Sequence, residues 1–241
     1  MLDYIGTIFV AISMAVAFAA VITTIPVRLG WRLTVAAAGG AWVGLAIAIA
    51  EAGKLADVAI LGALFAFPLV ATTVLALVSP AVRSALLAIP VQLIIGVHVF
   101  RILGVEFLVL ASLCRLAGPF PQSAGWGDII TGSLAIPVAL LAMRVPINDM
   151  RILAWNAFGV LDLIVAVTLG VTSANGSLLQ FIHAGVGSAA IQTLPWSLVP
   201  TALVPFYLIC HGIVFARARS SASIQSPDPL ARTSAVFQPL S

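Results

Sequence analysis

Charge is what this chain has least of. Asp, Glu, Lys and Arg make up 8% of its 241 residues, against a hydrophobic share of 62% and a mean hydropathy of +1.19. A soluble domain carries about 25% charged residues. Ionic groups this sparse cannot clothe a water-facing globule, so the chain reads as an integral membrane protein. Lysine occurs once, as Lys54, between two apolar runs. That excludes a retinal-type pigment, which needs a lysine within its last span for the Schiff base. The two cysteines, Cys114 and Cys210, make no disulfide framework. Strand-like alternation in ten-residue units is missing, which argues against a barrel. The opening MLDYIGTIF lacks the basic n-region of a secretory signal, so the first apolar run is kept as a mature span. HExxH, Walker A and GxSxG motifs are absent, and no motif calls for a cofactor. The sequence pI is about 9.4, but the basic residues sit singly or in pairs, so no nucleic-acid surface is implied.

What is present is a set of seven apolar runs: Ile5–Ile25, Leu33–Ala52, Val58–Val78, Ala85–Leu113, Ile129–Met143, Ile152–Val171 and Leu198–Ala216. Most match the ~20 residues needed to cross a bilayer. The fourth is long and the fifth short. The fold class expected is therefore all-α, a seven-helix bundle over residues 1–216. Beyond it, Arg217–Ser241 turns polar and proline-rich and reads as a disordered cytoplasmic tail. If the spans alternate sides, the N-terminal side receives Lys54 and Arg115. The other side receives Arg28, Arg32, Arg83, Arg144, Arg151, Arg217, Arg219 and Arg232. That bias predicts an external N-terminus and a cytoplasmic C-terminus in the plasma (inner) membrane.

Polar residues inside the runs are the informative ones. A cation within an apolar span costs ~2.5 kcal/mol or more unless paired or hydrated, so Arg101 needs partners on other helices. Counting ~1.5 Å per residue from Ser84 puts His98 ~21 Å and Arg101 ~25 Å from the cytoplasmic side. The same count puts Asp162 ~16 Å up and His211 ~9 Å. His98 and His211 are then too far apart to share a haem, and His183 is external. On one face of the fourth span lie Ile94, His98, Arg101 and Val105, with Glu106 pointing away. Trp155, Gly159, Asp162 and Ala166 share a face of the sixth, with Asn156 lower down. Asp162 is the first-choice partner of Arg101 and Asp128 the second. Asp128 follows Gly125-Trp126-Gly127 and also reads as the N-cap of the fifth span. Glu106 can simply snorkel to the outer interface.

Three further features carry packing expectations. Gly40 and Gly44 form a GxxxG suited to helix contact. Pro200 and Pro205 leave room for a hinge in the last span. The stretch 172–197 has a rough apolar periodicity that suggests a short interfacial helix or lid.

The segments FRILGVEFL (Phe100–Leu108), GWGD (Gly125–Asp128) and WNAFGVLDL (Trp155–Leu163) resemble a family of uncharacterised bacterial multi-span membrane proteins. The resemblance implies a bacterial membrane location and no established activity or cofactor. The candidate pocket is thus Arg101, Asp162, Asp128, His98, Asn156 and Glu106. The leading expectation is translocation or sensing of a small, anionic solute through an outward-facing polar pocket. The alternatives are a non-catalytic subunit or scaffold bound to a membrane-protein partner, and an intramembrane enzyme on a lipid-like substrate with Asp128 and Asp162 as acid and base.

Overall fold

A computed structural model describes residues 2–225, and no strand occurs among them. The helices are α1 (Leu2–Thr24), α2 (Leu29–Glu51), α3 (Val58–Val78), α4 (Pro80–Leu87), α5 (Val91–Gly96), α6 (Val105–Ser112), α7 (Phe120–Leu141), α8 (Met150–Thr172) and α9 (Val204–Gln225). A 3-10 segment, Val97–Gly104, joins α5 to α6, and a π turn, Val199–Leu203, leads into α9. Together these form seven spans long and apolar enough to cross a membrane. The molecule is a multi-pass membrane protein.

The boundaries follow local chemistry. Asp57 caps α3 by accepting from the Ala59 amide at 2.8 Å, and Asp149 caps α8 by accepting from Arg151 at 3.0 Å. Ser79 caps α4, with Pro80 at its first position. The long fourth run is not one helix. It breaks at Ile89-Pro90, because proline has no amide to continue the ladder and biases the residue before it away from helix. The membrane span therefore starts at Val91, and α4 is a separate short helix. The fifth span is not short either. Helix α7 begins at Phe120 and includes the polar stretch QSAGWGD, which is helical rather than a loop and packs inward through Ala124, Gly125 and Gly127. Asp128 lies well inside α7, so its N-cap reading is corrected.

Spans α5–α6, α7, α8 and α9 make the centre, where Ile94, Ile95, Ile152, Trp155 and Cys210 are buried together. Helices α2 and α3 sit at the edge, with Ala46 the one buried residue of α2. The Gly40/Gly44 motif does not pack within this chain: a Cβ built on either glycine meets no atom within 4 Å. Helix α9 runs through Arg217 to Gln225, past the expected start of the tail. The rest of the tail lies outside the described residues.

In the last span, Pro205 leaves the carbonyl of Thr201 without its helical donor. The indole of Trp42, on α2, donates to that carbonyl at 3.0 Å. The irregular turn is thus tied to α2. The stretch 172–197 forms turns and a 3-10 turn, Ala189–Gln192, and not the expected amphipathic helix. Glycines at positive φ, Gly185 and Gly187, turn the chain back. The Ser188 hydroxyl then donates to Gly170 O at 2.6 Å, and the Ala117 amide to Gly187 O at 2.9 Å. This folded loop carries Trp196, fully buried, into the mouth of the bundle. There the indole donates to Asp3 at 3.0 Å, and Asp3 also pairs with Arg115 at 2.5 Å.

Candidate functional site

The site begins with a change of helical period. From Val97 to Gly104 the chain is 3-10, with three residues per turn. His98, Arg101 and Gly104 therefore line up and are all buried, while Val105, expected on the same face, is 44% exposed. The tighter backbone is held against α7 by missing side chains. A Cβ on Gly132 would lie 2.6 Å from the Ile102 amide nitrogen and 3.2 Å from His98 O. One on Gly125 would lie 3.0 Å from Gly104 O. Asp128 stands between these two glycines on α7 and is brought beside Arg101.

Arg101 is 2% exposed and spends its donors on three helices. Its Nε donates to Asp128 Oδ1 on α7 at 2.6 Å. Its Nη2 donates to Asp162 Oδ2 on α8. Its Nη1 donates to Gly159 O at 3.3 Å and faces His211 Nε2 on α9 at 3.2 Å. A guanidinium has no acceptor, so His211 Nε2 must be the acceptor of that pair. Its Nδ1 then carries the proton and donates to Asn156 Oδ1 at 2.7 Å. The Asn156 amide in turn donates to His211 O at 3.2 Å. Gly127 and Gly159 give the polar groups room, for a Cβ on either would run into Asp162 or into His211.

Formal charge is the main electrostatic fact. One guanidinium faces two carboxyl groups whose side chains are 14% and 5% exposed. With both carboxyls ionised the cluster carries one net negative charge inside an apolar bundle. A single proton makes it neutral.

The structure brings Arg101, Asp162, Asp128, His98 and Asn156 into one cluster. Glu106 is half-buried one turn beyond, pairs with none of them, and lines a cavity of about 40 Å³ with Arg101, Asp128, Trp196 and Tyr207. That volume has room for little more than ordered water, so the pocket as it stands is too small for a solute. His98 and His211 do not sit at different depths: their ring centroids are 4.1 Å apart. Ser84 belongs to α4 and the span begins at Val91, so His98 lies lower in the bundle than a single helix from Ser84 would place it. The two imidazoles lie ring against ring, which leaves no slot for a macrocycle between them.

His211 and Tyr207 are the members that depth counting passed over. The Arg101 guanidinium lies 5.9 Å from the Tyr207 ring centre, and His98 packs at 5.0 Å from the same ring. The signal was their spacing of four, which puts both on one face of α9. Both ring nitrogens of His98, the Tyr207 hydroxyl and the Thr131 hydroxyl are buried without a hydrogen-bond partner among the described residues.

No curated protein and no solved structure matches the chain. Residues 58–219, which contain every side chain of this cluster, match the model of a domain of unknown function, DUF8737. The chain, with its seven apolar helices and its buried Arg101 cluster, belongs to the DUF8737 family.

Proposed function

We propose that this protein binds a small anionic solute in a proton-coupled way, to translocate or sense it across a bacterial plasma membrane. The N-terminus lies outside and the C-terminus in the cytoplasm. The observation that carries the reading is one buried guanidinium shared by two carboxyl groups. Protonation of Asp162 weakens its hold on Arg101 and frees donors for an anion. Loss of that proton restores the pair and expels the anion. Trp196, held by Asp3, stands over the small cavity that reaches Arg101, and its displacement opens the site. The unpartnered groups of His98, Thr131 and Tyr207 support the reading, since buried polar atoms without partners cost ~1–3 kcal/mol each and call for a reason.

The test uses proteoliposomes holding a pH-sensitive dye, challenged with a panel of small carboxylates and inorganic anions. Asp162→Asn, which strands no charge, is expected to abolish anion-dependent proton movement while the protein stays folded; Arg101→Ala is expected to abolish it too, at a cost in stability. Full activity in both variants ends the reading.

A scaffold role is favoured by a different observation: Arg101 ties α7, α8 and α9 together. In that case Arg101→Ala lowers folded protein in membranes, Asp162→Asn changes nothing, and a stoichiometric partner co-purifies. The enzyme reading is the least supported, because both carboxyls are already engaged by Arg101.

A further inference from the structure

Away from the Arg101 cluster, the end of the bundle where α1, α3 and α9 finish is basic. Among the described residues it carries Arg28, Arg32, Arg83, Arg144, Arg151, Arg217 and Arg219. The single carboxylate there among the described residues, Asp149, is held by Arg151 at 2.9 Å. Two crevices open at the same end. One, about 430 Å³, lies between α3, α4 and α9 and has Arg83 on its rim. The other, also about 430 Å³, lies between α1, α2, α3 and α9. They share a wall made of Thr72, Leu86, Ile209 and Ile213. Both volumes fall within the ~300–1,000 Å³ of ligand sites.

We propose that these crevices hold an anionic phospholipid, with its acyl chains in the crevices and its phosphate at Arg83. The walls are almost wholly apolar, and no acidic side chain lines either crevice. The positive charge sits where a headgroup would lie. Arg32 donates to Ile25 O at 2.9 Å, and Arg217 to Ile89 O at 2.8 Å. Ile25 and Ile89 both line the second crevice, so each guanidinium is fixed beside it with N–H groups to spare. Helix α4 reinforces the arrangement: Val82 and Leu86 are half-buried while Arg83 is exposed at the rim. Since no protein carboxylate neutralises Arg83, Arg32 or Arg217 among the described residues, a net negative headgroup complements this surface. A zwitterionic one would also bring an ammonium against the same arginines.

The test is native mass spectrometry of the full chain, delipidated and titrated with phosphatidylglycerol or phosphatidylcholine at equal mole fraction. Retention of phosphatidylglycerol is expected to exceed that of phosphatidylcholine at least about fivefold, the effect of ~1 kcal/mol for each arginine near a headgroup. Arg83→Gln, an exposed change, lowers the preference about fivefold. Gly212→Leu lowers retention of both lipids, because Gly212 lines the first crevice and its Cβ position is open. Thermal unfolding checks that both variants fold. Equal retention of the two lipids by the unaltered protein overturns the proposal. So does an Arg83→Gln protein that keeps the preference undiminished, or a folded Gly212→Leu protein that retains lipid unchanged.

Discussion

Replacing Arg101 by methionine removes one charge and leaves two carboxyl groups facing each other in the bundle. Breaking a buried ion pair by deleting one partner costs ~3–5 kcal/mol, mostly from the charge left behind. Here the groups left behind are Asp128 and Asp162, with side chains 14% and 5% exposed. At ~2–4 °C per kcal/mol for a chain of this size, the unfolding midpoint should fall by ~6–20 °C. Asp162→Asn should behave differently. It leaves one guanidinium against one carboxylate, a neutral pair, and the amide oxygen still accepts from Nη2, so the loss stays near ~1 kcal/mol. The triple change Arg101→Met, Asp128→Asn, Asp162→Asn strands no charge and should recover most of the stability lost in the single methionine variant. Thermal unfolding in detergent, followed by the fluorescence of the five tryptophans, measures all three. The charge reasoning is wrong if Arg101→Met unfolds with the unaltered protein, or if the triple variant is no more stable than Arg101→Met.

Gly132→Ala drives a methyl into the Ile102 backbone at 2.6 Å, where nothing flexible can give, and should cost ~1–3 kcal/mol in the same assay. Gly40→Leu meets open space and should stay within ~0.5 kcal/mol of the unaltered protein. Trp42→Phe strands the Thr201 carbonyl and should lower stability by ~1 kcal/mol, read as a shifted midpoint. With the N-terminus outside, Cys114, exposed between α6 and α7, reacts with a membrane-impermeant maleimide on intact cells; buried Cys210 does not. Protection of Cys114 until the cells are broken reverses the orientation.

Span number was legible in the sequence because hydropathy over ~20 residues is a summed quantity that local irregularity hardly changes. The pairing of Arg101 with carboxyls was legible for a similar reason: an isolated cation in an apolar run has few places to go. Depth was not. It depends on where a helix starts, and the count from Ser84 ran straight through Ile89-Pro90, the point at which α4 ends and the span proper begins. The same error separated His98 from His211 and hid a contact between two buried rings. Asp128 was misplaced by composition. A stretch such as QSAGWGD looks like a loop when glycine is read as a helix breaker. Between spans, however, glycine serves as a surface for close approach.

Irregular backbone also shapes the site itself. Two departures from regular α-helix lie along the spans that form the cluster: the 3-10 segment 97–104 and the π turn 199–203. A regular α-helix over Val97–Gly104 would point Val105 inward with His98 and Arg101 and leave Gly104 off that line. The 3-10 period puts Gly104 there instead, and a side chain at Gly104 would collide with Asp128. Arg101 and Asp128 can therefore meet at 2.6 Å because the backbone between His98 and Gly104 is overwound against a glycine face of α7. Overwound segments hold poorer hydrogen bonds than α-helix. Relaxing this one to α-helical period would turn Arg101 relative to Asp128 without moving either helix as a whole. Infrared or hydrogen-exchange measurement on Val97–Gly104 amides, with and without Gly132→Ala, should show faster exchange in the variant; unchanged exchange would mean that the glycine contact does not hold the segment.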